Sequence, residues 1–224
     1  MKKSRLYTIA AAILAALILL TGSIAVPILC RPFYYAHIGY LDLEEETGLS
    51  REEIKTAYNE MLDYCIGLDD EFSTGSLAWS ESGKSHFTDV RFLFLLDFRV
   101  LAVSAVLLIA LLIFAKVRKL RAARLLGRGP AFWAGAGLGV VFLVIGALAA
   151  TDFDRAFVIF HSIFFPGKDN WLFDPEVDEI INILPETFFM DCAILILVVL
   201  IAGCIALIVA DILWKRRSVK HSQS

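Results

Sequence analysis

The chain has 224 residues, 58% of them hydrophobic, with 24 acidic against 21 basic side chains and a formal net charge of −3. That composition, with its positive mean hydropathy, excludes an ordinary soluble domain and calls for a chain solvated largely by lipid. Four apolar runs account for it. Residues 6–29 contain no charge. Ser23-Ile24-Ala25 has the small residues of a signal-peptidase site, but the run exceeds an ordinary signal core and Pro27 follows closely. It is therefore read as a retained anchor. Residues 30–91 follow, and within them Ser50-Arg51-Glu52-Glu53 has the form of a capping box. Behind it Ile54, Tyr58, Met61, Cys65 and Leu68 recur at spacings of three and four. The spacing predicts an amphipathic helix, resting either on the bundle or in the headgroup layer. Residues 72–83, rich in Ser, Thr and Gly, read as a mobile loop.

The second run, 92–115, is interrupted only by Asp97 and Arg99. The third is 131–150 and the fourth 188–214. Each approaches the roughly 20 residues that a helix needs to cross a bilayer, and helices satisfy their own backbone groups there. The expected architecture is all-α: a four-helix transmembrane bundle in one integral membrane domain, with short amphipathic helices on the extracytoplasmic side. Lys2, Lys3 and Arg5, the six basic residues between Lys116 and Arg128, and Lys215, Arg216, Arg217 and Lys220 all fall on one side of these runs. The positive-inside rule puts both termini and link 116–130 in the cytoplasm, leaving segments 30–91 and 151–187 outside. No nucleic-acid motif, internal repeat or phosphate loop is present, so the basic clusters are read as topology alone.

Between the third and fourth runs, Phe153, Phe157, Phe160 and Phe164 form a helical stripe beside His161, stopped by Pro166-Gly167. Trp171 and Phe173 read as interface anchors. Asp174-Pro175 reads as a second helix start, and Pro185 as the start of span four, with Glu186 and Asp191 at its end. The four cysteines include no CxxC pair, and a Cys30–Cys65 disulfide has no support from spacing.

His86, in Ser85-His86-Phe87-Thr88-Asp89-Val90-Arg91, and His161, in Phe160-His161-Ser162-Ile163-Phe164-Phe165, stand just outside spans among aromatic and acidic residues. A neutral imidazole at a partly dry site takes and gives protons near physiological pH. Continued as a helix, the chain puts Asp89 and Asp97 on the stripe of His86, where they would orient or charge-stabilise it. Ser85 and Ser162 neighbour the histidines in sequence but diverge by about 100° around a helix, so neither forms a nucleophile–base pair. There is no GxSxG, no HExxH and no metal-ligand cluster. His37 and His221 lack comparable context and are set aside.

The block Phe160–Phe165, then Trp171-Leu172-Phe173-Asp174-Pro175, then Leu184-Pro185-Glu186-Thr187-Phe188-Phe189, resembles a signature of the lipoprotein intramolecular transacylase (Lit) family. Ser85 to Val90 resembles its second signature, and the order of spans and the helix carrying Tyr58 agree over nearly the whole chain. The resemblance implies an acyltransferase acting on diacylglyceryl-modified bacterial lipoproteins in the cytoplasmic membrane, with no cofactor and no metal. One acyl chain would move from the sn-2 glycerol oxygen to the N-terminal cysteine amine, giving a lyso form. It also implies roles: His86 and His161 as the acid–base pair, Asp89 and Asp97 as orienting groups, and Arg91 as an oxyanion donor. Phe164, Phe165, Trp171 and Tyr58 would hold substrate, and Glu186 would bind the amine or cap span four. The alternatives are a haem protein ligated by the two histidines, a non-enzymatic sensor or assembly subunit, and another lipid-modifying transferase.

Overall fold

The structure, a computed structural model, describes residues 2–220; His221 and the side chains of Arg216, Arg217 and Lys220 lie outside the described residues. Helices α1 (Arg5–Leu29), α5 (Glu81–Val117), α6 (Pro130–Ala149) and α8 (Glu186–Lys220) are each long and apolar enough to cross a membrane. Between them lie α2 (Arg31–Tyr40), α3 (Leu43–Thr47), α4 (Arg51–Ile66), α7 (Phe153–Phe164) and a 3-10 turn, Glu179–Ile183. Two three-residue strands, β1 (Lys2–Ser4) and β2 (Leu120–Ala122), complete the described elements.

The chain forms two compact units. The first combines Met1–Ile24, Phe98–Ala147 and Ile196–Ser224. Its outward side chains are apolar, among them Val106, Leu107 and Val144, as a helix needs when lipid is its solvent. Hydroxyls within α1 bond back into the helix: Thr21 donates to Leu17 O (2.8 Å) and Ser23 to Leu19 O (2.7 Å). A methyl group at Gly135 would come within 2.6 Å of the Cys204 carbonyl, so α6 and α8 meet through a residue with no side chain. At one end of this unit β1 pairs in parallel with β2, from Lys2↔Leu120 to Ser4↔Ala122. There too the buried Asp211 accepts from Gly129 N (3.0 Å) and faces Arg124 (3.6 Å). The N-terminal strand, the α5–α6 link and the Asp211 turn of α8 thus share that end.

The second unit combines Ala25–Asp97 with Leu148–Leu195. Tyr34 stacks on Tyr58 (3.6 Å between ring centres) and meets Phe188 edge-on (5.1 Å), while its hydroxyl donates to Ile183 O (2.8 Å). Ile54, Ile180 and Ile183 are fully buried around them. The capping box of α4 is present: Ser50 Oγ accepts from Glu53 N, and Glu53 accepts from Ser50 N. Gly67, at φ 79°, ends the helix in the left-handed conformation that glycine adopts without penalty, so Leu68 leaves the stripe and is exposed. Of the two positions open to α4, its apolar stripe occupies the protein core.

Two expectations need correction. Residues 72–80 are irregular but tied down: Thr74 is fully buried and donates to Leu77 O, and Phe72 stacks on Phe87 (5.2 Å). Asp174-Pro175 opens a single turn, with Asp178 N on Asp174 O (2.8 Å), before the 3-10 turn; no helix of the expected length forms. Cys30 and Cys65 are both free, and Cys65 is buried against Met61.

Candidate active site

His86 occupies the second turn of α5, and the start of that helix is fixed from far away in sequence. Asp178 accepts from Ser80 N (2.7 Å) and Ser80 Oγ (2.9 Å), and Ser80 Oγ accepts from Gly83 N (3.0 Å). A methyl group at Gly83 would lie 2.2 Å from Asp178 Oδ1, which is why glycine stands there. His161 occupies the third turn of α7, whose start is capped by Asp152 accepting from Arg155 N (3.0 Å). Although the two histidines are 75 positions apart in sequence, their rings lie 5.9 Å apart, tilted by 31°. Both are nearly inaccessible, His86 at 6% and His161 at 7% exposure.

Aromatic rings close the cluster. Phe165 and Phe173 meet His86 edge-on at 4.9 and 5.4 Å. His161 lies between Phe157 (4.2 Å) and Trp171, which stacks on it at 4.4 Å. His161 Nδ1 lies 2.8 Å from Phe157 O. A carbonyl only accepts, so Nδ1 carries the proton and Nε2 holds the lone pair when the ring is neutral. Burial lowers the His161 pKa below its ordinary 6.5, against a smaller opposing effect of the Phe157 carbonyl. The ring therefore meets neutral pH unprotonated.

The other residues singled out from the sequence divide between this cluster and its surroundings. Asp89 lies close enough for its charge to act on His86, and it is also bonded by Lys168 Nζ (2.6 and 2.7 Å) and Asn170 Nδ2 (3.2 Å). Asp97 stands eleven residues below His86 on α5, about 16 Å of helix rise, and does not reach the imidazole. Arg91 donates to Tyr64 O, Asp69 O and Asp70 Oδ1 and lies over the Tyr64 ring, so it pins the end of α4 and offers no oxyanion donor to the histidines. Tyr58 is buried in the core, stacked on Tyr34 and away from the histidine cluster's aromatic walls. Phe165 and Trp171 wall the imidazoles, whereas Phe164 is exposed. Glu186 is exposed in the first turn of α8, beside Asp154.

Ser162 Oγ is turned back onto Val158 O (2.8 Å) and Ser85 Oγ accepts from Asn170 (3.4 Å), so neither hydroxyl is bonded to a histidine. Burial pushes the Cys65 thiol up to about 12, which leaves it protonated and a poor nucleophile. Asn170 and Phe173 belong to the cluster, and nothing in the sequence singled out the asparagine. His37, set aside on its sequence context, is buried, with Nδ1 2.7 Å from Phe33 O and Nε2 3.1 Å from Asp191. A signal for it existed. Phe33-x-x-x-His37 repeats the spacing of Phe157-x-x-x-His161, and in both the imidazole packs on the phenylalanine four residues earlier and bonds its carbonyl.

The family model of the lipoprotein intramolecular transacylase Lit matches residues 9–189, a stretch containing both histidines and every aromatic wall described above. The chain belongs to the Lit family. Its fold agrees: the Lit structure from Bacillus cereus superposes with a TM-score of 0.85 at 24% identity, covering 98% of each chain. Two further structures of B. cereus Lit, with one histidine replaced by arginine or by alanine, give TM-scores of 0.77 and 0.78 at the same identity. They cover 98% of this chain and 93% and 94% of theirs. Among curated proteins no sequence match is found. Lit membership makes this a multi-pass membrane protein of an acyltransferase family whose activity is acyl transfer within a lipoprotein.

Proposed function

We propose that the chain transfers the sn-2 acyl group of an S-diacylglyceryl cysteine to the α-amine of that same cysteine, with His86 and His161 moving the protons. The observation that carries this reading is a pair of buried imidazoles 5.9 Å apart with no serine or cysteine nucleophile engaged with either. A reaction whose nucleophile and electrophile belong to one substrate needs no acyl-enzyme; positioning supplies much of the advantage.

The proton count matches two bases. The α-ammonium, with a reference pKa near ~8, must lose one proton to become nucleophilic. Its nitrogen then attacks the ester carbonyl, the N–C bond forms, and a second proton leaves nitrogen. The C–O bond to glycerol breaks and the departing oxygen takes one proton. Two protons leave nitrogen, one returns to oxygen and one goes to solvent. One imidazole removes the first proton; the other takes the second and delivers it to the glycerol oxygen. The lone pair left on His161 Nε2 and the downward shift of that ring support a role as base.

Apolar side chains exposed around the cluster, Phe160, Ile163 and Phe164 on α7 and Leu172 after it, suit contact with acyl chains and membrane lipid. The three basic clusters favour cytoplasmic termini, with the histidines on the opposite side of the membrane, where lipoproteins are displayed.

The test is mass spectrometry of the N-terminal lipopeptide of a reporter lipoprotein, from a diacyl-making host with and without this gene. The expected result is an N-acyl, S-monoacylglyceryl peptide that disappears with His86→Ala and with His161→Ala. An unchanged diacyl peptide, with the protein verified in the membrane, would remove this function from the chain.

A further inference from the structure

Asn170 sits in the turn after α7, on the same side of the cluster as the first turns of α5. Its Nδ2 donates to Asp89 Oδ2 (3.2 Å) and reaches Ser85 Oγ (3.4 Å), residues that flank His86 by one position and by three. A carboxylate oxygen only accepts, so the carboxamide cannot be turned over without losing this bond, and the orientation of Oδ1 follows. Asn170 Oδ1 and His86 Nδ1 are both shut off from solvent and, among the described residues, both lack a hydrogen bond. Bonded to both Ser85 and Asp89, the carboxamide lies against the turn of α5 that carries His86. An orphaned buried polar atom is costly, because it has given up water without gaining a partner. One of these atoms is an obligate acceptor, and the other is a ring nitrogen able to donate. The charged and titratable groups that face His86 are His161, Asp89 and Lys168, and Asp89 is already occupied by Lys168.

We propose that Asn170 is a positioning residue for His86: its Oδ1 accepts the Nδ1 proton, holding the imidazole in one orientation and leaving Nε2 as the lone-pair nitrogen. Asn170 thereby does for His86 what the Phe157 carbonyl does for His161, by a side chain instead of the backbone. The two imidazoles then share one protonation pattern, which is the pattern a reaction needing two bases requires. This last step rests on the transacylase reading; the tautomer assignment does not.

The experiment separates the two. In protein labelled with nitrogen-15 at histidine and purified in detergent, the ring nitrogens of His86 are assigned by their loss in His86→Ala. Their tautomer is read at a pH where the ring is neutral. The expected parent spectrum has the proton on Nδ1. Asn170→Leu, similar in size and unable to accept, should release that preference. Asn170→Asp, which keeps an acceptor oxygen, should preserve it. In the lipopeptide assay Asn170→Leu should lower kcat by about 10²-fold, the low end of what a correctly protonated acid or base contributes, with KM little changed. A parent His86 protonated on Nε2 overturns the proposal whatever the activity. So does an Asn170→Leu protein with an unaltered tautomer. Inactivity of the parent enzyme with the Nδ1 tautomer observed would count against the transacylase reading and not against Asn170.

Discussion

Protonating His161 means placing a charge between Phe157 and Trp171, away from water, which is why its native pKa lies below 6.5. If it acts as a base, the acidic limb of the kcat/KM profile should fall at a pH lower than that of a free imidazole. Trp171→Ala opens one face of the ring to water, so the limb should move up toward 6.5 while kcat drops; a limb that stays in place would mean the indole is not what keeps the ring dry. The same shift affects stability. Between the native value and 6.5 the unfolded chain binds a proton at this residue that the folded chain does not. Stability therefore rises with pH through that window and is lost as pH falls through it. Thermal unfolding of His161→Gln against the parent, across that range, should show the parent losing more on acidification.

At the level of elements, α5 carries His86 and the cap from Asp178 fixes where that helix begins. Gly83→Ala drives a methyl group into the Asp178 carboxylate, and Asp178→Ala leaves Ser80 without its partner. Each should cost about 1–3 kcal/mol and lower transfer by displacing the imidazole. Ser50→Ala should cost about 1 kcal/mol through the α4 cap while kcat is retained. Arg91→Met should behave similarly, lowering the melting temperature without removing acyl transfer, because the guanidinium is spent on the Tyr64 carbonyl of α4 and the Asp69 carbonyl just beyond it. Lipopeptide analysis beside detergent melting curves distinguishes the two classes. These contrasts also mark how far the sequence could be read. Periodicity along one helix identifies a face, and on that basis Asp97 and Asp89 looked like partners of His86. Distance along the axis removes Asp97, whereas Asp89 does act on His86 but shares its charge with Lys168, 79 positions away. Arg91 was drawn off in the same way by Asp69 and Asp70, in a loop whose path no local pattern describes.

For the whole molecule, the spans were legible because lipid solvation imposes length and apolarity on every crossing helix; the four helices coincide with the four runs, with α5 extended at its N-terminal end to include His86. How the crossings meet was not legible, since the small residues at contacts such as Gly135 resemble any other glycine in an apolar run. Gly135→Leu should separate α6 from α8 and reduce the yield of folded protein in mild detergent, measured by size-exclusion profile and melting temperature. An unchanged profile would mean that this approach contributes little.

The second unit is stitched from two stretches of chain, Ala25–Asp97 with His86 and Leu148–Leu195 with His161, and the remainder of α5 and nearly all of α6 lie between them. During synthesis the first imidazole is therefore made long before its counterpart, and a nascent chain released after α6 holds only one. On the proposed mechanism the chain is silent until α7 has been made, so an unfinished copy in the membrane poses no hazard to lipoproteins around it. Two fragments made separately by breaking the chain at Gly127 would carry one histidine of the pair each. Either alone should be inert, and acyl transfer should return only in cells that make both.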